Sequence, residues 1–367
     1  MTGFWVYNNQ LTGTVPGGYG DWTSMTNFDC SYNSINGTLP DSFGQWMHLE
    51  EFKVCTNMLF GTLPAVYSNF VVSFVTVSYN GFSGTLPPEY GASWGPTIRS
   101  FYAADNQLRG IIPASYAAWT SLQIFDATKN SLEGTLPLMI SAWTQMTALT
   151  LGNNRFTGTI PASYAALRGS LVTMYLYCNQ LEGGLPDEFR SMSALRSLFL
   201  NGNQNLTGSL PSSWGTPTNI LRLASFSLQN TSITGSIPPT WSSVILPQGF
   251  IALCGTDVCG AGGLTGSYSL CVDDVAACDP RNQSYFIAHS TLYLPPACSS
   301  NNNSTPAPSS AATSLAPTPP PSAFSIPANH SKSNAQDWDH CCIGWFSIIG
   351  CRQLSSCRRN DEVGDVW

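Results

Sequence analysis

Ten prolines set the frame of this chain. Pro16, Pro40, Pro64, Pro87, Pro113, Pro137, Pro161, Pro186, Pro211 and Pro238 follow one another at intervals of 23 to 27 residues. A glycine stands three residues before each (Gly13, Gly37, Gly61, Gly84, Gly110, Gly134, Gly158, Gly183, Gly208, Gly235), and an apolar residue directly before it. A unit of about two dozen residues cannot bury a core alone, so such units must pile up and each lend one face to a shared interior. The length of 367 residues then fits one elongated array with a tail better than several compact domains.

Inside the period, Leu171, Met174, Leu176, Asn179 and Leu181 follow the spacing L-x-x-L-x-L-x-x-N-x-L, as do Met146, Leu149, Leu151, Asn154 and Phe156. This is the leucine-rich-repeat signature. Its asparagine recurs as Asn9, Asn33, Asn57, Asn80, Asn106, Asn130, Asn154, Asn179 and Asn203, with Thr231 in the tenth place. A carboxamide carries donors and an acceptor, so stacked asparagines can satisfy the backbone groups that a tight turn strands inside a core. A buried ladder is expected, and Asn130→Leu should cost about 1–3 kcal/mol through the groups it leaves unpaired.

The ending G-[TS]-[LIV]-P, as in Gly134 to Pro137 and Gly235 to Pro238, resembles the plant-specific class of leucine-rich repeats found in plant receptor ectodomains and polygalacturonase inhibitors. The segments after the proline, PDSFGQWMHL and PASYAAWTSL, look closer still to kinetoplastid surface antigens and proteophosphoglycan-like proteins. The resemblance covers residues 1 to about 265 and is specific for the fold; for function it says little, because such repeats serve many partners.

The predicted architecture is an α/β horseshoe-type leucine-rich-repeat solenoid. Apolar positions one, four, six and eleven point inward, as Leu49, Phe52, Val54 and Leu59 do in the third repeat. The residues between them alternate outward on short strands that stack in parallel into a concave sheet roughly 45 Å long. On the convex side Pro40, Phe43, Trp46 and Leu49 fall three apart, as do Pro113, Tyr116, Trp119 and Leu122; that step suits a 3₁₀ turn begun by proline, with its aromatics stacked in a convex core. Threonine or serine usually occupies position fourteen (Thr14, Thr38, Thr62, Thr85, Thr135, Thr159, Ser209, Ser236), where its branch suits a second strand and its hydroxyl is expected to bond the adjacent backbone.

The repeats are placed at residues 1–246. From 247 to 298 a degenerate unit around Leu253 and Leu264-Thr265-Gly266 is threaded with Cys254, Cys259, Cys271, Cys278 and Cys298, candidates for a disulfide-tied cap over the last open edge. Residues 299–333, including TPAPSSAATSLAPTPPPS, read as a disordered stalk, O-glycosylated or, by the family likeness, phosphoglycosylated. The tail at 334–367 holds Cys341, Cys342, Cys351 and Cys357 and an apolar run from Ile343 to Ile349, far too short to span a bilayer. The resemblance implies a lipid anchor; the ending DEVGDVW does not match its signal.

A net charge of −7 with only three lysines (Lys53, Lys129, Lys332) argues against nucleic acid and anionic membranes as partners. Sequons at Asn36, Asn205, Asn230, Asn282, Asn302, Asn303 and Asn329, with 12 cysteines, favour a cell-surface or secreted glycoprotein. Met1 opens in repeat register without leader or cap, which suggests a truncated start. Any membrane association would then run through an anchor that the sequence does not display.

Catalysis finds little footing. The histidines are His48, His289, His330 and His340, and no G-x-S-x-G, H-E-x-x-H, Walker or dinucleotide motif occurs. His340 with the tail cysteines lacks a paired C-x₂-C set, so neither metal nor cofactor is called for. Cys30 reads as a small core residue, and Cys55 and Cys178 as outward ones. The candidate binding surface is the concave face, at positions five, seven and eight: Trp5, Tyr7, Tyr32, Tyr79, Tyr102, Asp126, Tyr175, Tyr177 and Phe199. Aromatics on the open side of a sheet have no core to fill and make good contact anchors, although they also stack across strands for stability alone. The expected function is binding of a protein or glycan; the alternatives are a glycosylated coat without a specific ligand and a polygalacturonase-inhibitor-like protein.

Overall fold

The structure, a computed structural model, describes residues 1–216, 221–260, 268–271 and 291–292. The chain divides into two units, Met1–Ser300 and Asn301–Trp367, the second wholly outside the described residues. The stalk, the tail, Leu264 to Gly266, Cys278, Cys298, and the sequons at Asn282, Asn302, Asn303 and Asn329 also lie outside them, and of Cys271 only the backbone is described.

Each coil contributes a three-residue strand to one long sheet. Gly3–Trp5, Asn27–Asp29, Glu51–Lys53, Phe74–Thr76, Ser100–Tyr102, Ile124–Asp126, Ala148–Thr150, Thr173–Tyr175 and Ser197–Phe199 lie side by side in sequence order, all parallel. Leu223–Ser227, Ile245–Ala252, Tyr268–Cys271 and the antiparallel Thr291–Leu292 extend it to thirteen strands. This is the leucine-rich-repeat solenoid that the spacing predicts.

The strands stop at position five for a backbone reason. Three residues later, position eight is left-handed in all ten coils: Asn8, Tyr32, Thr56, Tyr79, Asp105, Lys129, Asn153, Cys178 and Asn230 have φ of +52° to +57°, and Gly202 has +73°. The reversal turns the position-nine asparagine inward. Asn154 is buried; its Nδ2 donates to the carbonyls of Leu151 (3.2 Å), Gly152 (3.2 Å) and, one coil back, Ala127 (2.9 Å), while its Oδ1 accepts from Leu132 N (3.0 Å). The same pattern runs from Asn33 to Asn203, half-buried from Asn33 to Asn130 and buried only at Asn154, Asn179 and Asn203. The Asn9 carboxamide bonds only within its own coil, and the Thr231 hydroxyl donates to Leu228 O at 2.7 Å.

A second parallel sheet follows the ladder. Its nine strands run from Thr12–Thr14 through Ser34–Gly37, Met58–Thr62, Gly81–Thr85, Gln107–Gly110, Ser131–Thr135, Arg155–Thr159 and Gln180–Gly183 to Asn205–Leu206. Beyond it, Thr234–Ser236 pairs with Asp257–Cys259, so the eleventh coil supplies its second strand from Asp257–Cys259, earlier than Leu264. The position-thirteen glycines are left-handed throughout. Threonine at position fourteen behaves differently from its expected role. No side-chain hydrogen bond of the described residues involves Thr14, Thr38, Thr62, Thr85, Thr135 or Thr159; instead the γ-methyl of each packs beside the next coil's glycine, as Thr38 Cγ2 does at Gly61.

The return path is the predicted 3₁₀ turn, with proline just ahead of it: Pro40 precedes Asp41–Gln45 and Pro113 precedes Ala114–Ala118. The fourth coil, one of the longer ones, makes an α-helical turn instead, Tyr90–Trp94. Trp46, Trp94, Trp119, Trp143, Trp214 and Trp241 are fully buried, and each indole N–H donates to a carbonyl of the preceding coil, Trp143 to Tyr116 O at 2.9 Å and Trp241 to Pro211 O at 2.8 Å. Tyr67, Tyr90, Tyr116 and Tyr164 send their hydroxyls to the preceding coil's proline carbonyl. Burial pushes these phenols up, as it does the free thiol of Cys30, and nearby carboxylates add to it at Tyr67, Tyr90, Tyr116 and Cys30.

Candidate functional site

Of the nine candidate binding residues, five stand on the outer face of the long sheet at position five: Trp5, Tyr102, Asp126, Tyr175 and Phe199. Tyr7 and Tyr177 follow the strand end by two residues. Tyr32 and Tyr79 are not strand residues; they occupy the left-handed turn, with φ of +55° and +56°. Their strands end three residues earlier, at Asp29 and Thr76.

The aromatics form no continuous stripe. At the first coil Trp5 is 60% exposed, its indole lying back over Gly3, and Tyr7 is 40% exposed. In the middle, Tyr102 contacts Phe74 at 5.5 Å between ring centres, and Lys53 Nζ sits 4.9 Å over the Phe74 ring while pairing with Glu51 at 3.2 Å. Toward the last coils Tyr175, Tyr177 and Phe199 make a buried cluster separate from the main core, with Cys178 and Phe250 packed against it. The register puts Tyr175 opposite Phe199; their rings stack at 4.7 Å and 23°. Phe250 meets Phe199 edge-on at 6.1 Å, and the Tyr177 ring lies against Gly152, where a methyl group would stand 2.5 Å from it. Phe250, which the register aligns with Ser225 past a bulge, was not among the sequence candidates, which were drawn from positions five, seven and eight of the repeats placed at residues 1–246.

Charges punctuate this face. Asp29 and Asp126 each accept a hydrogen bond from the backbone two residues on, Ser31 N at 2.9 Å and Thr128 N at 3.0 Å. Burial still holds the Asp126 carboxyl above the usual carboxylate range, against the hydrogen bonds that lower it. Lys129 pairs with Asp105 across neighbouring left-handed turns. Among the described residues no group of three or more His, Cys, Asp or Glu is placed to hold a metal ion, and no helix is long and apolar enough to cross a membrane.

The Leucine Rich Repeat family profile matches residues 24–46 and 170–192, two of the ten coils. No curated protein matches the chain, and the expected likeness of the post-proline segments to kinetoplastid surface proteins finds no support in the comparisons. Among solved structures the chain is similar to the plant peptide hormone receptor RGFR1 in complex with RGF2, with a TM-score of 0.60 and 25% identity over 72% of this chain and 46% of that one. It is similar to a TDR receptor, with a TM-score of 0.58 and 22% identity over 73% and 48%. A plant ice-binding protein aligns at a TM-score of 0.57 and 21% identity over 70% and 81%. The chain thus spans a little under half the length of the two receptors, and the likeness lies in the fold.

Proposed function

We propose that this chain is a non-enzymatic, extracellular recognition module, on a cell surface or secreted, that takes a peptide or an extended protein segment along the outer face of its long sheet. The observation that carries the reading is the Tyr175–Phe199 stack with Tyr177 and Phe250 around it. These rings belong to no part of the main core; with only 7–9% of Tyr175, Tyr177 and Phe199 exposed, they make a rigid aromatic floor beneath a ligand, already ordered at no further cost in side-chain entropy. The likeness to a receptor solved with a peptide hormone bound supports a peptide over a glycan as ligand. Cys55, Cys178, Cys254 and Cys259 are each disulfide-bonded, which accords with an oxidising compartment.

Peptides selected from a displayed random library on the intact chain provide the test. Tyr175→Ala and Phe199→Ala should each weaken the selected peptides by about thirtyfold, the roughly 2 kcal/mol of an interface anchor, with far-ultraviolet circular dichroism unchanged. Selected peptides that bind both variants as tightly as the parent would refute the assignment of this face.

A further inference from the structure

The second sheet leaves a pair of large apolar side chains in solvent, and a sequon stands beside them. Met58 and Phe60, on strand Met58–Thr62, are 55% and 53% exposed. On one side the register places Asn36 directly opposite Met58. On the other, Phe60 is opposite Gly81, which has no side chain to shelter it. Parallel partners lie about 4.8 Å apart with their side chains on one face, so the Asn36 carboxamide stands next to Met58 and diagonal to Phe60. Asn36 is itself exposed and enters none of the side-chain hydrogen bonds of the described residues. It opens the triplet Asn36-Gly37-Thr38, and Thr38 is exposed as well.

We propose that Asn36 carries an N-linked glycan whose first sugars lie over Met58 and Phe60. A pyranose has an apolar face of C–H groups and a polar rim, so on an aromatic ring it removes apolar surface from water while its hydroxyls stay solvated. An exposed apolar patch on a rigid sheet otherwise invites association. In the transfer step the Asn36 Nδ2 forms a bond to the anomeric carbon of an oligosaccharide carried on a polyprenyl diphosphate. The carbon–oxygen bond to the diphosphate breaks, the lipid diphosphate leaves with that electron pair, and one amide proton passes to the medium. The inference rests on the extracellular passage in the proposed function, but not on any ligand.

The other sequons on described residues divide by the same reasoning. Asn205 and Thr207 are exposed at the last strand of the second sheet, Asn205–Leu206, and this site is occupied too. Asn230 is half-buried in a left-handed turn with φ of +55°, and its Oδ1 packs so closely on Gly255 that a methyl group there would stand 2.2 Å away. Transfer precedes folding, so a sugar at Asn230 would keep the eleventh coil from closing on the tenth, and chains bearing it drop out of the folded population. Both glycans then sit on the second sheet, away from the outer face of the long one.

The test is site mapping of the full chain secreted from a eukaryotic host behind a heterologous leader. Peptide N-glycosidase in heavy-oxygen water followed by peptide mass spectrometry should label Asn36 and Asn205 and leave Asn230 unlabelled. Removing the glycans from the folded protein should then raise binding of a hydrophobic dye, and the rise should vanish in the Met58→Thr, Phe60→Thr variant, whose Asn36 is glycosylated as before. An empty Asn36, a labelled Asn230, or dye binding indifferent to the glycan in the parent chain would each overturn the corresponding part. Mapping reads no ligand, so its failure leaves the peptide-binding proposal standing, and the converse holds.

Discussion

Position eight asks most of a single residue. A left-handed φ is strained for any side chain bearing a Cβ and worst for a β-branched one, yet Thr56 holds it at +55°. Thr56→Asn relieves that strain with a residue that tolerates the conformation, so it should stabilise the protein by about 1 kcal/mol, read as a higher urea midpoint at unchanged slope; a midpoint at or below the parent's would contradict it. Nothing in the sequence marks this turn, because Tyr, Thr, Asp, Lys, Cys and Asn all occupy it, and Tyr32 and Tyr79 therefore passed for strand residues. Asp126 is the other strained group. Its folded-state carboxyl is held above the ordinary range by burial, so the fold favours its protonated form. Stability is greatest below the unfolded-state value and is lost as pH rises through the folded-state one. Asp126→Asn keeps an oxygen for Thr128 N and carries no charge. It should melt higher than the parent at neutral pH, and the gap should close toward pH 3; a gap that persists in acid would point to a cause other than ionisation.

Each element is a coil, and coils are held in step by contacts that sequence spacing conveys only in outline. The ladder was legible because one residue type recurs at one position; what the threonine at fourteen does was not, because a hydroxyl and a methyl share its Cβ and only packing chooses between them. The choice went to the methyl, against the neighbouring glycine. Gly61 combines a φ of +85° with Thr38 Cγ2 placed 2.9 Å from where a Cβ would stand, whereas Gly208, at +83°, has nothing nearer than the Gly184 Cα at 3.9 Å. Gly208→Ala should therefore cost only the backbone strain, about 1–2 kcal/mol, and Gly61→Ala measurably more. Thr38→Ser removes the methyl, so Gly61→Ala made in that background should cost no more than Gly208→Ala. Equal losses at the two glycines in the parent chain would mean that the methyl contact carries no weight.

Across the molecule, the repeat made the fold readable from ten prolines, while the proposed binding face stayed half-legible because its composition drifts from coil to coil. Position five brings Tyr175 and Phe199 together, Phe250 joins them from position three of a coil beyond the regular repeats, and Tyr32 and Tyr79 lie in the turn. A stacked array also has a mechanical consequence, since each coil touches only its neighbours and stability is a chain of interfaces. Trp119 ties three coils together: its indole N–H donates to Tyr90 O at 3.2 Å, and its ring lies 6.1 Å from Trp94 and 6.4 Å from Trp143. Trp241, in the tenth coil, stacks on Trp214 at 5.6 Å. Either truncation to alanine should cost about 3–5 kcal/mol locally, but the spread of the damage should differ. Hydrogen exchange followed coil by coil should show Trp119→Ala weakening protection on both sides of the fifth coil and broadening urea unfolding, as a broken middle interface decouples two halves. Trp241→Ala should loosen the last coils and leave the first eight as protected as before. Uniform loss along the whole array in both variants would mean that the coils unfold as one globular unit, and the nearest-neighbour picture would have to be given up.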